Sequence, residues 1–308
     1  MCALGNNEAY GTEKLPHEGS ATRARLRSAK HQLTILTRNN LQKAALAFIL
    51  ALAVTAILAP WVVPDMSAVE GKPNLKHILE APSWTHPFGT DELGRDLFSR
   101  VLYGTRISLA AGVVTVIFAL LVGVPLGAIA GGAGGVVDTI IMRVTDVFLS
   151  FPSVLLAIVV AAFLGPSLRN AIIAIVISWW PWYTRLIRGQ AISMRERQYV
   201  RSAQVVGTPR WRIVFRHILP NAIGPTVVMA SLDLGTVILT LAALSFLGLG
   251  AQPPTPEWGL LVNQSRNYFL NAPWYMVFPG MAITLTVLAF NIIGDGIREM
   301  LDPKSRTL

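Results

Sequence analysis

The segment QYVRSAQVVGTPRWRIVFRHILPN, from Gln198 to Asn221, is basic and amphipathic and stands between two long apolar stretches. Gly207 separates two helical patterns, so the spacing predicts a short helix, a glycine-centred turn and a second helix closed by Leu219-Pro220. Tied to a membrane span at each end, such a knob transmits a push from a docked partner. The same composition also suits a solvated basic loop at a membrane surface. What lies on either side decides between them.

The flanking chain is too apolar for water. Of 308 residues, 53% are hydrophobic and 14% charged, where soluble domains carry about 25% charged residues. Mean hydropathy is +0.51. A net charge of +9 invites a nucleic-acid reading, but such proteins gather their cations on a water-facing domain. Most of this chain is too apolar to be one, so no nucleic-acid partner is expected; membrane lipid is.

A helix crossing a hydrocarbon core of about 30 Å needs about 20 apolar residues. Uncharged runs of this kind fill 44–63, 107–130 and 147–164. A fourth, 170–184, is extendable because Arg185 and Arg188 can snorkel to an interface. The fifth lies within 221–250, interrupted by Asp233 alone, and the sixth within 275–294. The reading is an all-α polytopic membrane protein with six transmembrane helices. The first run starts too deep in the chain, is too long, and ends in WVVPD, so a retained span is expected rather than a cleaved leader. Residues 1–43 read as a tail whose basic part, 22–43, suits an interfacial helix, with the transmembrane domain covering 44–308.

Six spans place both termini on one side. With the termini inside, 19 of the 26 lysines and arginines fall on inner segments. The outside loops 64–106 and 251–274, with 165–170, hold the other 7. The positive-inside rule therefore puts both termini and the segment 189–220 in the cytoplasm of a cell (inner) membrane protein.

No reactive constellation is visible. Gly71-Lys72, the only Gly-Lys pair, is followed by Pro73, so there is no phosphate-binding loop, and GxSxG, HExxH and dinucleotide turns are missing. Cys2 is the single cysteine, and His17, His31, His77, His86 and His217 show no metal-ligand spacing. No metal or other cofactor is expected. A channel would need charged or carbonyl rings, and Asp233 is the one charge inside a span. An intramembrane enzyme would need a nucleophile and base, or metal ligands, within the spans. If ATP is spent, another subunit binds it.

Gln198–Asn221 resembles the coupling motif of binding-protein-dependent ABC importer permeases: Glu-Ala-Ala, three residues, Gly, nine residues, Ile-x-Leu-Pro. This chain has Arg201-Ser202-Ala203, Gly207 and His217-Ile218-Leu219-Pro220 with the spacing intact. Arg201 replaces the acid, which removes the ion pair an acid would offer an ATPase; Ser202 replaces an alanine and His217 the isoleucine. Three more stretches resemble the second-type permease of the dipeptide/oligopeptide branch: HPFGTDELGRDLFSRVLYGTRISL (86–109), LSFLGLGAQPPTPEWG (244–259) and NIIGDGIREMLDP (291–303).

The resemblance implies the type I importer permease fold, with Arg201, Ser202, Ala203, Gly207, His217, Leu219 and Pro220 coupling it to an ATPase. It also implies a second related permease, two cytoplasmic ATP-binding subunits and an extracytoplasmic substrate-binding protein facing 64–106 and 251–274. The implied cargo is dipeptides or oligopeptides; alternatives are glutathione, nickel or other metal complexes, and oligosaccharides.

Other residues carry narrower expectations. Gly123, Gly127 and Gly131 repeat at four-residue spacing around Pro125, which predicts close helix packing. Thr90-Asp91-Glu92 suits a helix N-terminus. Arg143 and Asp146 are spaced to pair on one helical face. Trp179, Trp180, Trp182 and Tyr183 suit either a pathway lining or, as the commoner use, an aromatic anchor at the inner interface. Asp233 lies roughly 18 Å above Asn221 at about 1.5 Å per residue, near mid-bilayer, where an acid faces protein or a water-filled cavity. It lines the translocation pathway or bonds a neighbouring helix; both readings stand.

Overall fold

The computed structural model describes residues 39–301. The first long helix, α1 (Asn40–Val62), starts where the Asn39 side chain accepts from Leu41 N. Of the basic stretch 22–43, only residues 39–43 are described, as the cap and first turn of α1; the rest of the expected interfacial helix, with all of residues 1–38, lies outside the described residues. After α2 (Met66–Val69) and a loop, α3 (Leu97–Ala133) runs unbroken for 37 residues through Pro125.

Next come α4 (Gly135–Leu149) and α5 (Ser153–Leu164). The expected third span, 147–164, straddles their junction, where the chain bends by 85°. Pro152 supplies no amide and holds Phe151 out of the helical region, so the helix stops there. Neither piece alone has the length of a span. The chain continues through α6 (Leu168–Arg195), α7 (Gln198–Val205), α8 (Arg210–Ile213), α9 (Leu219–Phe246), α10 (Trp258–Ser265) and α11 (Pro273–Leu301).

Among the described residues, four helices are long and apolar enough to cross a membrane: α1, α3, Gly224–Phe246 of α9, and α11. Counting the bent pair as one span makes five. The fourth expected span, 170–184, sits in α6, which has the length but is less apolar than those four, since it carries Arg185, Arg188 and Arg195. No strand occurs among the described residues.

The glycine repeat has the packing role its spacing predicts. A Cβ on Gly123 would sit 2.6 Å from Trp180 O, and one on Gly127 2.5 Å from Thr184 O, so only glycine lets α3 lie this close to α6. Around that seam α3, α5, α6 and α9 share a core of Ala119, Ala161, Ala174, Ile175, Tyr183 and Val237. Loops 64–96 and 247–272 gather at one end of the bundle, the loop end. The segment 196–218 closes the other, the knob end.

Candidate functional site

The knob begins with α7, whose Val200 is fully buried. It packs into a core with Ala128 of α3, Ile187 and Ala191 of α6, and Ile213, Val214 and Ile218. The helix ends in a left-handed cap: Thr208 N donates to Ala203 O at 3.0 Å, and Gly207 has φ +81°. This six-to-one hydrogen bond with a glycine in the left-handed region is the Schellman arrangement. Among the described residues, nothing lies within 4 Å of where a Gly207 Cβ would stand. The glycine is thus required by conformation, and the space beside it is open.

One expectation fails here. Leu219-Pro220 does not close the second helix. α8 passes through a π-helical turn, Val214–Ile218, and Leu219 N donates to Val214 O. The wider turn accommodates Pro220, which has no amide to donate, so α9 starts without a break. The knob is therefore continuous with a membrane span.

The expected coupling residues gather on this knob. Arg201 is exposed and its Nη2 donates to Glu196 Oε2 at 2.5 Å, a surface pair of small energetic consequence. Ser202 is exposed, Ala203 and Leu219 are half-buried, and Pro220 is exposed. His217 lies in the π turn; its side chain is outside the described set. What the motif did not reveal is the tip. Val205 is 87% and Val206 85% exposed, with Trp211 and Phe215 exposed nearby. The signal available was a Val-Val pair beside a turn glycine in an otherwise basic segment.

Asp233, half-buried on α9, turns its carboxylate toward the Tyr183 hydroxyl and Trp179 indole of α6. Asp233 Oδ2 and Tyr183 Oη are both buried and close no well-formed hydrogen bond. The aromatic run is thus not the expected interfacial anchor. Trp179, Trp180 and Tyr183 are buried, and only Trp182 is exposed, its indole donating to Ser153 Oγ at 3.2 Å. The expected Arg143–Asp146 pairing fails as well. Asp146 accepts from Arg185 and Asp138 from Arg188, joining α4 to α6.

The loop end is built around buried charge. Thr90-Asp91-Glu92 caps no helix; Asp96 does, accepting from Ser99 N at 2.8 Å and Ser99 Oγ at 2.6 Å. Asp91 instead accepts from Arg95 Nε at 2.7 Å and Arg100 Nη1 at 2.5 Å, and all three side chains are nearly or wholly buried. Arg100 also reaches toward Pro254 O and Gln264 Oε1. Glu257, fully buried, caps α10 through Gly259 N and Leu260 N and accepts from Ser108 Oγ of α3. Burial pushes its carboxyl above the usual range, opposed by those hydrogen bonds. Trp258 Nε1 donates to Val101 O at 3.0 Å. These contacts tie both loops to α3.

Known proteins resemble this chain in sequence and in fold. The profile of the family described as "Binding-protein-dependent transport system inner membrane component" matches residues 123–307. A dipeptide transport system permease protein of Alkalihalophilus pseudofirmus is 47% identical over 272 residues, 88% of each chain. A probable D,D-dipeptide transport system permease protein of Escherichia coli K12 is 50% identical, over 81% of this chain and 83% of that relative. A glutathione transport system permease protein of Pectobacterium atrosepticum is 45% identical, over 88% and 89%. Among solved structures, an inward-facing MetNI methionine ABC transporter superposes at a TM-score of 0.52 and 19% identity, covering 63% of this chain and 93% of that one, which speaks for the fold alone. With the profile match covering more than half of the chain and relatives near half-identical along most of it, this is a multi-pass membrane protein that belongs to the family of binding-protein-dependent transport system inner membrane components.

Proposed function

We propose that this chain is one of two permease subunits lining the pathway of an ATP-driven importer, and that its cargo is dipeptides or oligopeptides. The observation that carries the reading is the knob: a rigid helix–turn–helix whose apolar tip, Val205-Val206, has no cover among the described residues. Exposed apolar side chains on a packed element mark a docking surface. An ATP-binding subunit seated there acts on α9 directly, because the π turn joins knob and span without a loop. ATP hydrolysis belongs to two such subunits, and this chain has no catalytic role. Closure of those subunits moves the knob as a rigid body and switches the pathway between inward- and outward-facing states.

In this reading the knob end and both termini are cytoplasmic, and the loop end meets a substrate-binding protein. The peptide cargo rests on the relatives named for dipeptide transport and on the long motifs at 86–109 and 244–259. Asp233 lines the pathway, where an acid between spans suits the amino terminus of a peptide. A glutathione cargo is the second reading, supported by the relatives at 45% identity named for glutathione transport.

The test is uptake by the full transporter in proteoliposomes. Labelled dipeptide should accumulate only with ATP and with this chain present, and excess glutathione should compete weakly. Asp233→Asn keeps shape and hydrogen bonding but removes charge, so the rate or the preference among cationic, neutral and anionic peptides should change while assembly stays normal. Unaltered uptake across all three would remove Asp233 from the pathway. Uptake blocked by glutathione at lower concentration than by dipeptide would favour the second reading.

A further inference from the structure

We propose that His77, Glu80 and His86 form a binding site for a divalent transition-metal ion of the zinc class at the loop end, opposite the knob. One donor atom from each of the three lies within 4.8 Å of the other two. Nothing in the sequence spacing shows this, because the fold rather than a motif assembles the group. His77 ends a 3-10 turn, Leu75–His77. Two residues later Leu79 takes φ +49°, the only non-glycine residue with positive φ among the described residues. That reversal carries Glu80 back beside His77, with Glu80 Oε1 2.8 Å from His77 Nδ1. His86 is held from the other side: its amide donates to Ser83 Oγ and its carbonyl accepts from Ser83 N and Gly89 N. The two imidazole rings lie 5.7 Å apart, centre to centre.

The donor set fits the ion. Two imidazoles and a carboxylate with a fourth position open suit zinc, or cobalt and nickel in its place, and do not suit calcium or magnesium, which take oxygen donors. His86 has the support that metal-bound histidines usually show. Its Nδ1 lies 3.0 Å from Asp96 Oδ1, and Asp96 is 5% exposed and held by Ser99. A buried carboxylate on Nδ1 fixes the ring and its tautomer and leaves the Nε2 lone pair to ligate. His77 and Glu80 are 42% and 44% exposed, free to rotate. Side-chain rotation that opens the 2.8 Å His77–Glu80 contact and draws His86 in would set the donors about 3.3 Å apart, the edge of a tetrahedron with bonds of about 2.0–2.1 Å.

The site would tie the loop to a span. Asp96 caps α3, so a metal on His86 fastens residues 75–86 to the first turn of the 37-residue helix. The bland alternative is that the two histidine–carboxylate pairs hold the loop by themselves and bind nothing.

Cobalt separates these. The nucleotide-free transporter, purified without a histidine tag, is titrated with Co2+ while its visible ligand-field absorption is followed, and Zn2+ is then added. The expected result is one Co2+ per copy of this chain, displaced by Zn2+. Affinity should fall by roughly 10–100-fold or more in His86→Ala and His77→Ala, the range known for disturbing such ligand shells. A His17→Ala/His31→Ala variant should bind as the wild type does. Because His86 also contacts Asp96, its loss could disturb the loop. The exposed His77 guards against that, since Zn2+ should raise the melting midpoint of wild type but not of His77→Ala. One-per-chain binding that survives loss of both His77 and His86 would overturn the site. So would the lack of any Co2+ spectrum in the wild-type complex at excess metal.

Discussion

The two ends of the bundle are finished in opposite ways. At the loop end the chain buries its charges: Arg100, Asp91 and Glu257 are at most 2% exposed, and Arg100 and Glu257 are met by groups far away in sequence. At the knob end the charges are exposed, as in the Arg201–Glu196 pair, and apolar side chains stand in the open. Buried paired charge fixes one arrangement, because breaking any part strands the rest in a dry site. An exposed apolar tip leaves a surface to be completed by another molecule. The loop end is thus a rigid platform, on which Trp84 and Leu270 are displayed. On the proposed function the knob end is a lever whose counterpart is the ATP-binding subunit.

Breaking the platform should have the largest effect. Arg100→Ala takes from Asp91 one of its two buried arginine partners, leaving Arg95 alone, and breaking a buried pair costs up to about 3–5 kcal/mol in such settings. The protein should fail to accumulate in the membrane or melt well below the wild type, as read from its amount after solubilisation and from thermal unfolding of the complex. A normal amount with an unchanged midpoint would mean that the buried charges hold nothing together.

The lever should respond the other way, losing function with little loss of stability. Val205→Asp with Val206→Asp removes two exposed apolar side chains, each worth about 1.5–3 kcal/mol when fully covered. Co-purification of the ATP-binding subunit should fall by at least about tenfold, with the melting midpoint of the isolated permease pair unmoved. Retained co-purification would show that the tip docks nothing.

A smaller contrast isolates the turn. Gly207→Val places a branched side chain at φ +81°, where an L residue costs about 1–2 kcal/mol. Asn tolerates that region, so Gly207→Asn keeps the turn and adds bulk only in the open space beside it. Loss of uptake in both variants identifies crowding of a docked partner; loss in Val alone identifies the turn.

The smallest effect is a pH slope at the platform. The folded-state pKa of Glu257 is raised above its ordinary 4.5 by burial. Its contribution to stability is therefore present below 4.5 and lost as pH rises through the folded value. Proteolysis of the 251–272 loop should quicken over that window in wild type, and the slope should flatten in Glu257→Gln. Equal slopes in the two proteins would refute it.

Much of the fold was legible because lipid imposes long apolar runs, and the glycine spacing at 123, 127 and 131 named its own seam. The knob was legible as a helix, a turn at Gly207 and a second helix. Its fusion to α9 was not, since Pro220 reads as a stop and only the π turn accommodates it. The third span was misplaced because 147–164 is apolar throughout and the bend at Pro152 leaves that run unbroken. Ion pairs were the least legible. Asp146 had an arginine three residues away and took Arg185 of another helix, a choice set by packing. Thr90-Asp91-Glu92 reads as a helix N-terminus, but the charges of TDELGRDLFSR form a buried network, which stayed hidden because its partners at 254 and 264 are remote in sequence.

The central claim, that the knob is where the ATP-binding subunit sits, is tested most directly by cross-linking from single cysteines. With Cys2 replaced by serine, Val206→Cys and Leu270→Cys present similarly exposed positions, 85% and 92%, at opposite ends. A thiol-directed cross-linker applied to the assembled transporter should join position 206 to the ATP-binding subunit and leave position 270 unjoined to it. Capture of that subunit from position 270, with none from 206, would contradict the account.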